Sequence, residues 1–551
     1  MRPPYVCLNC RLKKRINLPP VRRTFSHSPI SRNEASTTTS ATLRPATAPK
    51  STPNVKHIRQ NADLYAQNCV DRNYGSLKDY PARIQKLAED AARVDHELRA
   101  PRIKIKQLEK SIAKLAIASA NGKSSQPTET DTPGSQEELT NLRREAQQLK
   151  DHTHDMTVQK ANWTEELQRL SLTLPNLTSP ETPIGDDPKL IGYINYDPNS
   201  PPQVNKNSRS HVSIGTSLDL LDFTSSATST GWGWYFLTNE GALLEHALVQ
   251  YALSVALRQG WKAVSPPSIV YSYIAEACGF QPRDQHNEQQ IWSIEQSESD
   301  RERGRPQRSL TGTAEIPLAA MYAGRDIPAE SLPIKLVGAS RCYRAEAGAR
   351  GVDTKGLYRV HEFTKVELFG WADNMDPPPP SSSSPNTTTT TTATTTSDTL
   401  FTSLLSIQTE ILTSLNLPCR ILEMPSTDLG ASATRKRDIE AYFPSRRRTS
   451  SSSSSCDDGG IESAWGEVTS ASICTDYQAR RLGTRVRGGK GGGTGSRFAH
   501  TVNGTAMAVP RVLAAILENG WDEGRKVVVV PEVLRGWMGG MEVIGEGRWK
   551  E

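Results

Sequence analysis

Residues 338–369 read GASRCYRAEAGARGVDTKGLYRVHEFTKVELF, and they carry the strongest structural signal in the chain. Its two ends alternate as strands do, and a long charged segment separates them, so we predict two antiparallel strands joined by a loop. Each strand has one shared face, because side chains repeat with a period of two. These faces carry Cys342, Arg344 and Glu346 on the first strand and His361, Phe363, Lys365 and Glu367 on the second.

An arginine, an aromatic ring and carboxylates would therefore lie together. A guanidinium binds phosphate or carboxylate through two parallel hydrogen bonds, and a flat ring beside it can stack on a base. This combination suits a nucleotide. The alternative is a salt-bridged surface hairpin, because exposed ion pairs are common and need no ligand.

The composition permits a sizeable core and also unfolded segments. The 551 residues are enough for two or three domains, and 36% of them are hydrophobic. No apolar run approaches the length that crosses a membrane, so we expect a soluble protein. The net charge of +6 and the pI near 8.8 are mildly basic, which is compatible with a nucleic-acid partner.

The first 33 residues are basic, with no acidic residue before Glu34. Together with the Ser, Thr and Pro that follow, this composition is typical of a mitochondrial transit peptide, and Arg23 to Ser26 resemble a matrix-protease site with cleavage after Phe25. A disordered basic segment that binds RNA is the alternative. We expect residues 34–56 to be a disordered linker.

The eight cysteines are scattered through the chain, which favours a reduced compartment. Cys7 and Cys10 form a lone C-x-x-C. Because a structural zinc site needs four ligands and no second pair has metal spacing, we expect no zinc.

Apolar positions spaced three and four apart run through two segments, which predicts a coiled coil. The first has Ile84, Leu87, Ala91, Val94, Leu98, Pro101, Ile105, Leu108, Ile112 and Leu115, and the second has Leu139, Leu142, Ala146, Leu149, Thr153, Met156, Lys160, Trp163, Leu167, Leu170 and Leu174. The simplest structure for residues 57–175 is two helices folded back on each other, each roughly 45 to 50 Å long. Pro101 removes a backbone donor and should kink the first helix. The alternative is a dimerisation coiled coil.

The quoted stretch resembles motif 2 of class II aminoacyl-tRNA synthetases of the seryl type, through its R-x-E-A-G loop and R-V-H-x-F-x-K-V-E return strand. The resemblance implies an α+β fold for residues 210–545, in which helices flank an antiparallel sheet. Residues 176–209 would be a hinge, and residues 57–175 an N-terminal coiled-coil arm that binds the variable arm of tRNA. Two low-complexity inserts, 376–397 and 446–460, should be surface loops.

Further segments resemble motifs of the same family: the T-x-E loop at 313–315, which we expect to be extended, E-V-T-S at 467–470, and T-V-N-G-T at 501–505 leading to Arg511. The resemblance implies that serine contacts Thr313, Ala314, Glu315, Arg344, Glu367, Asn503 and Thr505. It implies that ATP contacts Arg344, Ala345, Glu346, Arg359, Val360, Phe363, Glu467, Val468, Thr469, Ser470 and Arg511. Mg²⁺ would be held by Glu467 and Ser470, and the catalytic residues would be Arg344, Arg511 and Glu367.

The activity that follows from the resemblance is ATP-dependent activation of L-serine and its transfer to tRNA(Ser) in the mitochondrial matrix. A homodimer is expected, because the predicted helix at 243–259 and the Pro266-Pro267 strand end resemble motif 1, the dimer element of the family. One alternative is a catalytically inactive relative that binds RNA. Another is an amide-forming class II relative acting on a small acid, which would not need a helical arm.

Overall fold

The computed structural model describes residues 44–45, 47–121, 133–202, 208–280, 290–345, 356–374, 396–447, 459–488 and 496–547, with the side chains of 118–121, 133–136 and 459–460 left out. Several predictions lie outside this part of the chain. They concern the transit peptide, the Cys7–Cys10 pair, Glu346 and most of both low-complexity inserts.

Five helices form the N-terminal part of the described chain. They are α1 Val55–Gln60, α2 Ala62–Asp71, α3 Tyr80–Glu97, α4 Arg99–Asn121 and α5 Pro133–Thr173. Helices α3 and α4 both pack against α5, which makes the predicted hairpin, here called the helical arm. With 41 residues, α5 is roughly 60 Å long.

Every predicted apolar position of the arm is buried or half-buried. The helical period therefore predicted the packed face correctly. The predicted interruption is also present, because helix α3 ends at Glu97 and α4 begins at Arg99. Pro101 explains the break, since its nitrogen cannot donate to the carbonyl four residues earlier.

A central sheet of eight strands follows the arm. Its order is β1 Lys189–Ile194, β10 Cys419–Glu423, β11 Arg435–Tyr442, β12 Trp465–Thr475, β15 His500–Ala508, β9 Glu362–Ala372, β8 Ile334–Tyr343 and β4 Lys262–Ala263. All neighbours pair antiparallel except β4 and β8. The sheet is therefore of the predicted, mostly antiparallel kind.

Short strands form four small sheets at the periphery. They are β2 Leu221–Asp222 with β3 Phe236–Leu237, β5 Ile269–Tyr271 with β6 Arg308–Leu310, β7 Asp326–Pro328 with β13 Arg485–Arg487 and β14 Arg497–Phe498, and β16 Trp521–Asp522 with β17 Val527–Val529 and β18 Val543–Ile544.

Eleven more helices are described. They are α6 His211–Ser217, α7 Phe223–Ser229, α8 Asn239–Arg258, α9 Ser272–Ala277, α10 Glu298–Glu302, α11 Glu315–Ala320, α12 Thr396–Ser414, α13 Gly459–Glu462, α14 Tyr477–Leu482, α15 Val509–Asn519 and α16 Glu532–Arg535. None of the helices in the described part of the chain combines the length and apolar character needed to cross a membrane.

The largest core lies between one face of the central sheet and helices α8, α12 and α15. Helix α12 can approach the sheet closely because β15 carries Gly504, where a Cβ atom would lie 2.7 Å from Leu404 Cδ2. The opposite face of the sheet is left to a second, smaller core and to the site described below.

Four predicted boundaries need correction. Residues 176–209 are more than a hinge, because β1 extends the central sheet through its pairing with β10. The linker at 34–56 is not wholly disordered, because the Arg44 guanidinium donates to the Ser51 hydroxyl at 2.8 Å and this hydroxyl donates to the Arg481 carbonyl at 3.0 Å. The first insert ends before residue 396, because Thr396 begins α12. The second begins after Arg446, whose guanidinium lies 4.1 Å from the ring of Tyr358.

Candidate active site

Strands β8 and β9 pair antiparallel, as the quoted stretch predicts. On β9, Val366 and Leu368 pack into the large core. Phe363, Lys365 and Glu367 therefore share the other face of the sheet. The shared face predicted from a period of two is present for these three residues, whereas Arg344 follows β8 and His361 precedes β9.

One pocket gathers most of the residues predicted to contact ATP. Its wall consists of Arg344, Tyr358, Arg359, Val360, Phe363, Lys365, Glu467, Val468, Thr469, Ser470, Thr505, Ala508, Pro510 and Arg511. Two predicted ATP contacts are not on this wall. Ala345 donates its backbone N–H to the Gln290 carbonyl at 3.3 Å, and Glu346 lies outside the described residues.

Guanidinium groups lie around one end of the pocket. Arg344 lies directly after β8, with its guanidinium carbon 5.3 Å from the centre of the Phe363 ring. Arg511 heads the first turn of α15, and its guanidinium donates to a Glu467 carboxylate oxygen at 2.9 Å and to the Tyr358 carbonyl at 3.1 Å. Two residues predicted to contact ATP and its metal therefore bind each other here.

The Glu467 carboxylate is held ionised. Removal from bulk water would raise its pKa, but the positive charges of Arg511 and Lys436 and the hydrogen bond from Arg511 lower the pKa to about 2. Lys436 lies on β11 and also pairs with Asp438 at 2.8 Å. Glu467 therefore offers a charged oxygen ligand at every physiological pH.

Two buried carboxylates, Glu367 and Glu315, are not on the wall of this pocket, but Glu367 pairs with Lys365, which lies on that wall. Glu367 is fully buried, and one of its oxygens accepts from the Thr313 hydroxyl at 3.1 Å and pairs with Lys365 at 2.5 Å. The second oxygen, Oε1, is buried and has no hydrogen-bond partner among the described residues. A buried acceptor without a partner is costly, so this oxygen is suited to a donor from a substrate.

Glu315 lies next to this pair at the start of α11, so the segment is not extended as predicted. The turn places the Thr313 hydroxyl where it accepts the Glu315 N–H at 3.4 Å. The Glu315 carboxylate accepts from Gln478 Nε2 at 2.6 Å. Burial, together with the nearby carboxylate of Glu367, raises the pKa of Glu315 to about 8.

The remaining predicted serine contacts come from β15 and the turn before α11. Thr505 lies opposite Glu367 in the register and lines the pocket. Asn503 lies two residues earlier on the strand, where its side-chain oxygen accepts from the Cys474 thiol at 3.4 Å. Ala314 is fully buried and shapes the turn.

Two residues of the site received no role from the sequence. Lys365 contacts Glu367 directly, and Gln478 contacts Glu315. Alternation along β9 was a usable signal for Lys365, because it lies two residues before Glu367 on the same face. No sequence signal pairs Gln478 with Glu315, since the two are 163 residues apart.

A buried histidine fixes the segment that precedes Arg359. His211, at the start of α6, has its Nδ1 2.8 Å from a Glu518 carboxylate oxygen, and its Nε2 accepts the Leu357 N–H at 3.2 Å. With a proton on Nδ1, both contacts are satisfied at once. His211 is thus a positioning residue that sequence reasoning missed.

Comparison with known proteins points to one family. The family model described as tRNA synthetase class II core domain (G, H, P, S and T) matches residues 298–520. That range contains β8, β9, β12 and β15, and so all the strands that form the pocket.

The mitochondrial serine–tRNA ligase of Saccharomyces cerevisiae is 37% identical over 80% of this chain and 86% of its own length. The mitochondrial enzyme of Schizosaccharomyces pombe is 36% identical over 87% of each chain, and the serine–tRNA ligase of Rubrobacter xylanophilus 34% over 90% and 99%. The crystal structure of seryl-tRNA synthetase from Pyrococcus horikoshii complexed with ATP superposes with a TM-score of 0.67, at 26% identity over 90% of this chain and 99% of that one. The predicted fold class is confirmed, and the chain belongs to the serine–tRNA ligase family of class II tRNA synthetases.

Proposed function

We propose that this chain activates L-serine with ATP and transfers the seryl group to the 3′-terminal adenosine of tRNA(Ser). One observation carries the proposal: cationic side chains line a pocket, and the buried carboxylate of Glu367 adjoins this pocket through Lys365. An amino acid and a nucleoside triphosphate need these two parts of the site within reach of each other, because the amino-acid carboxylate must approach the α-phosphorus.

At the cationic end, the serine carboxylate oxygen attacks the α-phosphorus, the bond to the bridging oxygen breaks, and pyrophosphate leaves. Arg344 neutralises charge at the α-phosphate, while Arg359 and Arg511 contact the outer phosphates. Phe363 stacks on the adenine. Arg511 must exchange Glu467 for a phosphate oxygen, and this exchange frees the Glu467 carboxylate.

Glu467 and Ser470 both line the pocket from β12, and their oxygen atoms fit Mg²⁺ because this ion takes a few protein oxygens and completes its shell with phosphates and water. When bound, Mg²⁺ neutralises phosphate charge. No cluster of three His, Cys, Asp or Glu side chains suited to a metal occurs in the described part of the chain. The phosphates would therefore provide most of the ligands.

At the carboxylate end, Glu315 and Glu367 receive the polar groups of serine. The unpartnered Oε1 of Glu367 accepts from the substrate, and Glu315 receives its ammonium as a charge-assisted hydrogen bond. Lys365 and Thr313 hold Glu367 in place. Thr505 lies opposite Glu367 and lines the pocket, so its hydroxyl group would lie near the bound amino acid.

The helical arm contacts tRNA in this proposal. Exposed lysines of α4 offer charges to phosphate groups, and they include Lys106, Lys110 and Lys114. Lys104 pairs with Glu145 across the arm at 2.5 Å, and this exposed partner can be exchanged for a phosphate group.

The active form is a homodimer in the mitochondrial matrix. Phe236, Leu243 and Leu257 lie on or just before α8 with about half of their surfaces exposed, at 48%, 49% and 48%. Leu243 and Leu257 lie on one face of α8, so a second copy could cover them. The basic segment 1–33 and the mitochondrial names of the yeast relatives support the location.

Pyrophosphate exchange with each of the twenty amino acids tests the proposal. Purified protein should incorporate labelled pyrophosphate into ATP with serine and with no other amino acid at comparable concentration. Charging of tRNA(Ser) with labelled serine should follow. Exchange that is absent with serine, or that is equal with alanine and serine, would refute the proposed substrate.

A further inference from the structure

The short helix α14 lies between the base of the helical arm and the carboxylate end of the site. We propose that α14 positions Glu315 for serine through Gln478, and that Arg481 holds α14 by binding the C-terminal end of arm helix α5. The arm root, defined as Ile84, Ala88, Leu167, Leu170 and Leu174 with α1 and α2, then contributes to serine affinity in addition to any contact with tRNA. This inference rests on the proposed role of Glu315.

Arg481 joins α14 to the arm. Its side chain is 7% exposed, and its guanidinium donates to the carbonyls of Leu172 at 2.9 Å and Leu174 at 3.4 Å. Leu172 lies in the last turn of α5, where carbonyls have no partner within the helix. A cation at this position also interacts favourably with the helix dipole. Arg481 therefore caps the longest helix of the arm from the catalytic body.

Gln478 joins α14 to the serine end. It is 1% exposed, and its Nε2 donates to the Glu315 carboxylate at 2.6 Å. Its own oxygen is buried without a hydrogen-bond partner among the described residues. A buried polar atom without a partner is costly, so contact with Glu315 is the feature that accounts for a glutamine here.

Gln478 and Arg481 lie one turn apart on a six-residue helix. A change in the position of Arg481 would therefore also move Gln478. A second buried arginine restrains the same junction. Arg72, which directly follows α2, donates to the carbonyls of Asn176 and Gly430. The Asn176 side chain donates to the Cys474 carbonyl at 2.9 Å, at the end of β12 that leads into α14. A displaced arm root would therefore move α14, and a shift of about 1 Å at a reacting group can cost a hundredfold in rate.

Four full-length variants test the proposal in serine-dependent pyrophosphate exchange. Gln478→Met removes the donor at nearly constant volume, Arg481→Met removes the cap, and Arg481→Lys keeps the charge but reaches fewer carbonyls. Arg480→Lys is the control, because Arg480 lies on the same helix but pairs with Asp476 at 2.7 Å.

The KM for serine should rise about tenfold in Gln478→Met, because this variant cannot make the hydrogen bond to a charged group. The KM for ATP should stay within about twofold. The pH at which serine binding is half-maximal should also rise, since the donor favours the ionised form of Glu315. Arg481→Met should raise the KM for serine alone by a smaller factor, Arg481→Lys by less, and Arg480→Lys not at all.

An unchanged KM for serine in Gln478→Met, or an equal rise in the KM for ATP, would overturn the proposal. If Arg481→Met does not fold, the KM values of Arg481→Lys and Gln478→Met still test the proposal. A wild-type protein without serine-dependent exchange would instead refute the proposed function, so the two failures are distinguishable.

Discussion

The helical arm and the active site both carry lysines paired with carboxylates, but in opposite environments. In the arm, Lys104 and Glu145 pair with 56% and 44% of their side chains exposed. In the site, Lys365 and Glu367 pair with 9% and 1% exposed. An exposed ion pair contributes about 0 to 1 kcal/mol to the free energy of unfolding, and salt screens it. A buried ion pair is screened much less, so each of its charges interacts more strongly with other charges nearby.

This difference separates two kinds of recognition. Charges on the arm are hydrated and can exchange a protein partner for a phosphate at little cost, which suits a long polyanion. Charges in the site are already ordered, and the pKa of Glu315 is displaced from its usual value. We therefore expect graded, salt-dependent effects from the arm and abrupt, pH-dependent effects from the site.

The largest expected effect is that of Arg344→Ala. Removing one charged donor from a site where charge develops typically costs about a hundred- to thousandfold in rate, so serine-dependent exchange should nearly vanish. Arg341→Ala is the matched control, because Arg341 lies on β8 three residues before Arg344, has 48% of its side chain exposed and faces Glu245 and Glu362. Near-normal exchange in Arg344→Ala would show that the phosphate end is misassigned.

When measured above pH 8, where Glu315 is ionised, Glu315→Gln should reduce kcat/KM for serine by about ten- to hundredfold, because the contact with the substrate ammonium loses its charge. The same change should stabilise the fold at high pH. The pKa of Glu315 is about 8 in the folded protein and near 4.5 when unfolded, so the wild type loses stability as pH rises from about 4.5 to 8.

The Glu315→Gln variant has no carboxyl group at this position, so its stability should not decline with pH in this way. Its Tm should therefore exceed that of the wild type by an amount that grows between pH 5 and pH 8, as measured by calorimetry. A Tm difference that is constant across this range would contradict the assigned ionisation of Glu315.

A smaller effect is expected when Lys106 and Lys110 are both changed to glutamine. The affinity for tRNA should fall about tenfold at low salt, and the slope of log K against log salt should flatten by about one unit for each phosphate group that the variant no longer binds. Serine-dependent exchange should not change. The control replaces Lys189 and Lys262, which are exposed on β1 and β4. An equal loss of tRNA affinity in both double variants would indicate that the lysines of the arm contribute no more to tRNA binding than other exposed lysines.

The smallest effect is expected from deleting residues 376–395. Loop length changes closure entropy by only about 0.6 kcal/mol per doubling, so Tm and serine activation should remain nearly unchanged. The deletion must stop before Thr396 and Ser397, because they begin α12 and the Ser397 hydroxyl lies 3.0 Å from His500 Nδ1. A drop of many degrees in Tm would show that the insert contributes to the core.

Regular periods explain what the sequence could predict. Every arm position that the spacing of three and four predicted is buried or half-buried, although the buried Ala88 was missed. The period of two identified the face that carries Phe363, Lys365 and Glu367. Both patterns depend only on the local backbone geometry of a helix or a strand, so they can be read from the sequence of that segment alone. Motif resemblance then supplied roles for these residues, which remain to be tested.

Contacts between distant segments could not be predicted in this way. Gln478 meets Glu315 across 163 residues, and His211 meets Glu518 across 307. Such pairs depend on strand order and helix docking, which no local period encodes. For the same reason β1 was missed as part of the sheet, since only its pairing with β10 distinguishes it from a linker.

In the proposed enzyme, the site makes the adenylate and the arm binds the tRNA. The most direct test removes residues 92–163 and closes the chain with a short turn. The deletion retains the arm root, including Ile84, Leu167, Leu170 and Leu174. Exchange and tRNA charging are then measured on one preparation, with sedimentation to establish the oligomeric state.

We expect serine-dependent exchange within about twofold of the full-length protein, a dimer in sedimentation, and at least about a hundredfold decrease of kcat/KM for tRNA(Ser). A monomer that still charges tRNA well would instead identify the arm as a dimerisation coiled coil. A parallel decrease of exchange and charging would contradict the division between arm and site.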